Sequence, residues 1–379
     1  MNPLEQIIIE KIKREGPITF ETFMDMALYH PEYGYYASSV SSLGREGDFF
    51  TSSHLHSIFG AMIGRQLYEM WQAMGNPSEF DIVEMGAGHG YLAKDIFDYL
   101  QNTTESMAAF LDSARYSIVE PYAHFEKQQR TVLGALQNQA RIAWVKSFSE
   151  LKDIKGCIFS NELLDAFPVH LIRMNETIHE IAVNYRDNKF TEEMQDVSSA
   201  DITNYINIFS TGLPPGYRTE INLRIKKWLE RVAAVLIEGF VLTIDYGYSA
   251  REYYSEDRTG GTLLCYHKHT LNESPYRNIG QQDITAHVNF SSLKLWGDEL
   301  GLKTVGYCPQ GTFLTAAGID EMIVELYSDS ADYVAEISKI KRLIFPQGMG
   351  DSHNVLIQYK GNKMAELRGF SMRNQVHLL

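Results

Sequence analysis

A glycine-rich loop between an apolar strand and a helix constrains the fold of this 379-residue chain more than any other feature of its sequence. Residues 81–85 read as a buried strand, Gly86, Gly88 and Gly90 follow, and residues 91–100 have the pattern of a helix. Glycine permits a tight turn there and lets the backbone approach a ligand closely. The alternative is a tight strand-to-helix turn that has no ligand.

Strands and helices alternate from residue 80 onward, as they do in a parallel sheet with helices on both faces. The predicted strands lie at 81–85, 116–120, 141–145, 157–160, 240–244, 302–307 and 354–359. Between them we expect a β-hairpin insertion at about 168–200, a helix near 219–237 and an irregular insertion at about 250–290. The pattern therefore predicts an α/β, Rossmann-like fold with a mostly parallel sheet.

Charge and cysteine content narrow the class of protein. The formal net charge is −14 at pH 7, whereas non-specific nucleic-acid binding needs a basic stripe, so we predict no nucleic-acid partner. Three cysteines that lie far apart make no disulfide framework and are typical of a reducing compartment. No apolar run reaches the roughly 20 residues of a membrane span, and the first residues read as an amphipathic helix and not as a targeting peptide. We therefore predict a cytoplasmic protein without a membrane span.

The glycine spacing distinguishes between two nucleotide cofactors. A dinucleotide-binding loop has the spacing Gly-x-Gly-x-x-Gly, which would place a third glycine where this chain has Tyr91. The observed spacing is Gly-x-Gly-x-Gly, and Glu84 stands two residues before the first glycine. A carboxylate there would repel a pyrophosphate and attract the sulfonium and ammonium groups of S-adenosyl-L-methionine (SAM). The loop therefore favours SAM over NAD, with Glu84, Gly86, Gly88 and Gly90 as cofactor-binding residues.

Glu120 ends the second predicted strand and is a candidate ligand of the cofactor ribose. An acidic residue at that position of a nucleotide-binding unit can accept hydrogen bonds from ribose hydroxyls. Its separation from Gly86 exceeds the usual ~20 residues, and the extra length lies in residues 102–115. A solvated glutamate at a strand end is the alternative.

Several motifs along almost the whole chain identify a family. They are His30-Pro-x-Tyr33-Gly34-Tyr35-Tyr36, Gly44-Arg-x-Gly47-Asp48-Phe49-x-Thr51-Ser52, Glu84-x-Gly-x-Gly-x-Gly90, Asn161-Glu162-x-x-Asp165-Ala166-x-Pro168-Val169, Asp245-Tyr246-Gly247, Gly261-Thr262-Leu263-x-Cys265-Tyr266, Gln282-Asp283-Ile284-Thr285-Ala286-His287-Val288, Gln310-Gly311-x-Phe313-Leu314 and Met349-Gly350. With these motifs the chain resembles the MidA-like family, a former domain of unknown function that includes the mitochondrial complex I assembly arginine methyltransferase. The chain departs from the family at Ser352 and His353, where a Phe-Lys pair is expected.

The resemblance implies the seven-stranded class I fold of SAM-dependent methyltransferases, and an activity on protein arginine for the mitochondrial members. It also implies that the loop with Gly47, Asp48 and Thr51 folds over the cofactor, although a surface turn is the alternative. We therefore expect residues 1–79 to form a helical and loop segment that covers the cofactor site, and residues 80–379 to form the methyltransferase core.

The loop after the fourth predicted strand carries polar side chains where ligands bind in an open α/β sheet, beyond the carboxyl ends of the strands. Ser160 and Asn161 are predicted to bind the cofactor. Glu162 and Asp165 suit an arginine acceptor, because a carboxylate can hold a guanidinium in a bidentate fork and take its proton during methyl transfer. The alternative is a helix end that is capped by Asn161, with Glu162 favoured by the helix dipole.

His287 and Asp283 are the remaining candidate catalytic residues, and they could complete this site or relay a proton. A structural His–Asp pair is the alternative. Cys265, His267 and His269 alternate as metal ligands on one strand face might, but no fourth ligand is evident, so no metal site is predicted.

The sequence therefore predicts a SAM-dependent methyltransferase that acts on arginine in a protein partner. The competing hypothesis is a non-catalytic, SAM-binding assembly factor for a multisubunit complex. A homodimer is possible, because the hairpin insertion could serve as its interface.

Overall fold

The structure is a computed structural model that describes residues 2–37, 56–101, 105–136, 141–210, 212–268, 270–362 and 366–379. The chain divides into two compact units. The first unit comprises Met1–Phe49, Leu164–Trp228 and Tyr248–Leu293, and the second comprises Phe50–Leu163, Leu229–Gly247 and Lys294–Leu379. Among the described residues, no helix combines the length and the apolar character that crossing a membrane requires.

The regular elements are numbered here in chain order. The α-helices are α1 (Pro3–Glu15), α2 (Phe20–Tyr29), α3 (Ile58–Ala73), α4 (Tyr91–Gln101), α5 (Glu105–Ser113), α6 (Ala123–Leu133), α7 (Ala200–Phe209), α8 (Arg224–Val235), α9 (Ala250–Tyr253), α10 (Phe290–Glu299), α11 (Gln310–Ala316), α12 (Ile319–Tyr327) and α13 (Tyr333–Ile344). The β-strands are β1 (Ile18–Thr19), β2 (Phe80–Met85), β3 (Ala114–Val119), β4 (Ile142–Val145), β5 (Ile154–Asn161), β6 (His170–Met174), β7 (Ile178–Arg186), β8 (Lys189–Gln195), β9 (Arg218–Ile221), β10 (Leu236–Tyr248), β11 (Leu264–His267), β12 (Thr270–Asn272), β13 (Asp283–Thr285), β14 (Val288–Asn289), β15 (Lys303–Pro309) and β16 (His353–Lys360).

A seven-stranded path in the order β15-β16-β10-β5-β2-β3-β4 forms the central sheet of the second unit. The pairs β2/β3, β2/β5, β3/β4 and β5/β10 are parallel, and β16 runs antiparallel to both of its neighbours. This confirms the predicted Rossmann-like, seven-stranded and mostly parallel sheet. Strands β2, β3, β5 and β10 of this sheet are mostly buried, as expected when helices cover both faces, whereas β4 at the edge of the sheet is partly exposed.

Helix α3 packs into the core of the second unit, and this differs from the predicted boundary between residues 79 and 80. Its residues Ile63 and Leu67 belong to the same buried cluster as Phe80 of β2 and Ile96 of α4. Burial of this apolar face stabilises α3 against the sheet unit, whereas α1 and α2 belong to the core of the first unit.

The first unit contains more sheet than the sequence predicted. Its larger sheet has the order β1-β7-β6-β9, with β8 paired to β7, where only a hairpin was expected. The predicted helix near 219–237 begins only at Arg224, because Thr219 and Ile221 pair with β6 as a strand. The predicted irregular insertion contains the sheet β12-β11-β13.

Candidate functional site

The glycine loop joins β2 to α4 at the carboxyl end of the sheet. Gly86, Gly88 and Gly90 have φ values of 74°, 51° and 86°, a region that favours glycine. A Cβ atom added at Gly86 would contact Leu163, and one at Gly90 would contact Gln129, whereas one at Gly88 would meet no heavy atom of the described residues within 4 Å. Gly88 therefore presents its backbone to a space that the described residues do not fill, as close approach to a ligand requires.

Glu84 is buried inside the second unit, with 2% of its surface exposed. Tyr116 of the neighbouring strand donates a hydrogen bond of 2.7 Å from its hydroxyl to Glu84 Oε2. Burial raises the pKa of the Glu84 carboxyl to about 7, against the opposing effect of the Tyr116 hydrogen bond. The glycine spacing predicts a charged carboxylate beside the cofactor, whereas the structure surrounds the Glu84 carboxyl with the core and with Tyr116, and its contact with the cofactor stays a prediction.

The Glu84→Gln variant is expected to gain stability over the wild type as the pH rises from 5 to 8. Because its pKa is raised in the folded state, the Glu84 carboxyl contributes its full stabilisation below about pH 4.5 and has lost it once the pH has risen through about 7. Glutamine cannot ionise but still accepts the Tyr116 hydrogen bond. The stability difference should therefore grow by about 2–3 kcal/mol, measured by urea unfolding at both pH values. Parallel pH curves would contradict the assigned burial, and the exposed Glu230→Gln is the control.

Glu120 follows β3 directly, and both of its carboxylate oxygens are held by the protein. The Tyr122 backbone N–H donates to Oε1 at 2.9 Å, and Gln129 Nε2 donates to Oε2 at 2.8 Å. Only 5% of the residue is exposed, and desolvation raises the pKa of its carboxyl. The geometry is that of a fixed acceptor at the strand end, where the sequence placed a ribose ligand, and not that of a freely solvated side chain.

The end of β5 lies beside the glycine loop, since Ser160 pairs with Met85 of β2. Ser160 is fully buried, and within the described residues its Oγ has no hydrogen-bond partner. The same holds for Oδ1 of Asn161, whose Nδ2 donates to Glu162 Oε1 at 3.4 Å. Buried polar atoms are nearly always hydrogen-bonded in proteins, so these two side chains fit a site that receives a polar ligand.

Glu162 adopts an unusual backbone conformation next to a buried histidine. Its φ of 52° is uncommon for a non-glycine residue, and its N–H donates to the Ile244 carbonyl at 2.9 Å. The Nε2 atom of His353 lies 3.5 Å from Glu162 Oε1, and their side chains are only 0% and 4% exposed. Strained backbone of this kind concentrates at functional sites, which favours a functional role of Glu162 over the helix-capping alternative.

Two residues that support Glu162, Asp245 and His353, have no role predicted from the sequence. Asp245 at the end of β10 is fully buried, and its carboxylate accepts hydrogen bonds from the N–H groups of Leu163 and Tyr246 at 3.2 and 2.9 Å. The His353 ring packs on Tyr246 with 3.9 Å between centroids. Asp245 could have been found by its position after a predicted strand, as Glu120 was. His353 gave no such signal, because only its departure from the family pattern marked it.

The other predicted catalytic residues lie in the first unit. Asp283 Oδ1 accepts hydrogen bonds from the Tyr36 hydroxyl at 3.0 Å and from the Ile284 N–H at 2.9 Å. Desolvation raises the pKa of Tyr36 well above its ordinary value, and the charges of Asp283 and Asp165 add to this effect. The Asp165 carbonyl accepts from the Ala286 N–H at 2.9 Å. The structure therefore brings Asp165 and Asp283 close to one partly buried tyrosine, Tyr36.

His287 has different partners from Asp283. Its backbone N–H donates to Thr262 Oγ1 at 3.0 Å, and its ring lies 5.2 Å from the ring of Tyr248. Thr262 also donates to Glu220 Oε2, from its N–H at 2.9 Å and from its hydroxyl at 3.0 Å. A role of His287 and Asp283 in proton transfer stays a prediction.

Three predicted cofactor-binding residues, Gly47, Asp48 and Thr51, lie outside the described residues. Within the ranges that the structure does describe, no group of three His, Cys, Asp or Glu side chains is arranged to hold a metal ion.

Comparison with known proteins identifies relatives over nearly the full length of the chain. A family model for S-adenosyl-L-methionine-dependent methyltransferases matches residues 62–308. A Drosophila melanogaster protein named mitochondrial protein arginine methyltransferase NDUFAF7 homolog is 28% identical, over 94% of this chain and 85% of its own length. The Homo sapiens protein arginine methyltransferase NDUFAF7, also mitochondrial, is 26% identical over 93% of this chain and 82% of its own.

Solved structures show the same fold. A superfamily member from Burkholderia thailandensis, crystallised with S-adenosyl-homocysteine bound, has a TM-score of 0.90 and 29% identity. The alignment covers 99% of this chain and 96% of that protein. A native crystal structure from the same organism has a TM-score of 0.87, with 28% identity and the same coverage of both chains.

The comparisons contradict the predicted cytoplasmic localisation. The relatives from Drosophila melanogaster, Bos taurus and Homo sapiens are all named as mitochondrial proteins. The prediction was wrong because cysteine content indicates a redox environment and does not identify a compartment.

Proposed function

Because the chain belongs to the MidA-like family of SAM-dependent methyltransferases, with SAM as its cofactor, we propose that it methylates an arginine side chain of a protein partner. The observation that carries the proposal is the strained, buried Glu162 at the carboxyl end of β5. The relatives named as protein arginine methyltransferases support this choice of acceptor.

The residues around the glycine loop fit SAM. Gly88 lets the backbone approach a ligand, and Glu120 offers two fixed carboxylate oxygens to ribose hydroxyls. Ser160 Oγ and Asn161 Oδ1 are buried acceptors that suit an ammonium group. When bound, SAM supplies an electrophilic methyl group on a sulfonium. Glu84 as a ligand of the cofactor belongs to this proposal too, and the Tyr116 hydroxyl fixes the position of its carboxyl.

Glu162 would activate the arginine. A guanidinium is fully protonated and its nitrogen lone pairs are delocalised, so it is a poor nucleophile. A carboxylate that holds two of its N–H groups localises the positive charge away from the nitrogen that reacts. The same carboxylate can accept the proton that this nitrogen loses as the new N–C bond forms. Glu162 is thus both the clamp and the general base.

His353 would keep that carboxylate in place and ready. Its Nε2 lies 3.5 Å from Glu162 Oε1, while its Nδ1 lies 3.0 Å from Ser352 Oγ. Burial and packing on Tyr246 hold the ring. A histidine at this distance can also receive the proton from Glu162 after each turnover.

The remaining predictions concern the first unit and the partner. The proposal includes Asp165 as a second carboxylate and Asp283 and His287 as proton carriers. It also includes a loop that covers the cofactor and contains Gly47, Asp48 and Thr51. Homodimerisation through the hairpin insertion and the absence of a nucleic-acid partner are proposals of the same standing.

The test is mass spectrometry of proteomes from cells with and without the gene. We expect one or a few arginine-containing peptides to lose a methylated form when the gene is deleted. The purified enzyme should then methylate a peptide of that sequence with SAM, and the same peptide with lysine in place of arginine should remain unmodified.

Two results would contradict the proposal. Loss of methylation at another residue type would leave the methyltransferase assignment and remove arginine as its acceptor. If no methylated residue disappeared and a complex failed to assemble, a SAM-binding assembly factor would account for the protein better.

A further inference from the structure

Gln129 joins two parts of the cofactor site that are far apart in sequence. It lies on α6 and is fully buried. Its Nε2 donates to the Gly88 carbonyl at 2.9 Å and to Glu120 Oε2 at 2.8 Å. One side-chain amide therefore uses both of its N–H groups, one on the glycine loop and the other on the acidic residue after β3.

The orientation of this amide is itself fixed. The indole N–H of Trp144, on β4, donates to Gln129 Oε1 at 2.9 Å. An indole nitrogen can only donate, so the amide oxygen must face Trp144 and the amide nitrogen must face Gly88 and Glu120. The Arg130 guanidinium covers the indole ring at 3.9 Å from its centroid, which further restrains Trp144.

Gln129 also determines which way the Glu120 carboxylate points. The Tyr122 N–H engages Oε1 and Gln129 engages Oε2, so the carboxylate plane cannot rotate without losing one of the two bonds. Each oxygen keeps a further lone pair for another donor. An acceptor that is held in this way loses little entropy when it receives a ribose hydroxyl.

We infer that Gln129 is a positioning residue that holds the glycine loop and the ribose-binding carboxylate as one rigid unit. The inference rests on the proposed assignment of Glu120 to the cofactor ribose. Gln129 acts through Glu120 and Gly88 and touches no reacting atom. It therefore determines affinity for the nucleoside part of the cofactor, and its loss is felt most by ligands that carry the ribose hydroxyl.

A simple packing role for Gln129 predicts something different. Gln129 lies against Gly90. A Cβ atom added at Gly90 would be 3.3 Å from the Cα and 3.3 Å from the Cγ of Gln129. If the side chain only filled space there, its replacement would weaken all adenosine ligands to the same extent. The two roles therefore differ in how the variant discriminates between related ligands.

The experiment compares two ligands and two matched variants by calorimetry. The ligands are S-adenosyl-homocysteine and its analogue without the ribose 2′-hydroxyl. The variants are Gln129→Met, which keeps the side-chain length but has no amide, and Gln128→Met on the exposed face of α6. We expect wild type and Gln128→Met to prefer the complete ligand by about tenfold to a hundredfold, as for a hydrogen bond to a charged group. In Gln129→Met this preference should fall towards one.

A milder variant guards against misfolding of Gln129→Met. Trp144→Phe removes only the N–H that orients the amide and should reduce the same preference to a smaller extent, with the unfolding midpoint measured in parallel. An unchanged preference in folded Gln129→Met would overturn the inference while leaving the cofactor site intact. A wild type that ignores the 2′-hydroxyl would overturn the Glu120 assignment and the inference with it. No binding of S-adenosyl-homocysteine to wild type would overturn the cofactor site as a whole.

Discussion

The Gly88→Val variant is expected to fold but to lose SAM binding at concentrations that saturate the wild type. Among the parts of the chain that the structure describes, a Cβ at Gly88 meets no atom within 4 Å, so the isopropyl group would occupy the space to which the loop presents its backbone. The loop carbonyl is held by Gln129 at 2.9 Å and cannot retreat without losing that bond. Calorimetric titration with SAM, together with an unfolding curve, measures both parts of the prediction.

The backbone strain of this substitution needs its own control. Gly88 has a φ of 51°, and valine at positive φ costs on the order of 1–3 kcal/mol of stability. Gly134 follows α6 with a φ of 48° and is exposed, and its Cβ would lie 3.8 Å from the nearest atom, the Thr131 carbonyl oxygen. Gly134→Val should therefore lose similar stability and keep its SAM affinity. Equal affinity of Gly88→Val and wild type would remove the loop from the cofactor site.

The sheet of the second unit could be predicted because its signals are local. Strands β2 and β5 at the centre of the sheet are short runs that are rich in apolar residues and mostly buried. The first unit was predicted less well because its pairing is non-local. β1 near the amino terminus pairs with β7, and β9 pairs with β6 across α7 and two further strands. No short window of sequence contains both partners, so the local pattern predicts a helix near 219–237 although its first residues belong to β9.

Within the candidate site, too, some residues could be predicted from the sequence and others could not. Residues that follow a strand, such as Glu120 and Glu162, could be predicted, because topology places strand ends at the ligand side of the sheet. Their supporting partners could not, since Gln129 lies inside a helix and His353 begins a strand far along the chain. The raised pKa of Glu84 could not be predicted from the sequence either, because it depends on burial of the carboxyl beside Tyr116.

The Glu162→Gln variant is expected to lose about 10²–10⁴ in the rate of methyl transfer. Glutamine keeps the shape of the side chain but cannot clamp a guanidinium as an anion or accept its proton. SAM affinity should change little, because the residue is assigned to the acceptor and not to the cofactor. Single-turnover transfer to the arginine peptide found by the proteomic screen measures the rate, with SAM titration in parallel.

Asp153→Asn is a matched control for Glu162→Gln, since Asp153 is an exposed acidic residue that precedes β5 and has a φ of 54°. It should keep full activity. If His353 acts through Glu162, His353→Asn should also slow transfer, and the double variant should lose less than the product of the two single losses, because residues that act as a unit are not additive. If the rate loss of the double variant equalled the product of the two single losses, His353 would not act through Glu162. Full activity of Glu162→Gln would exclude it as the base, and lost SAM binding would move it to the cofactor site.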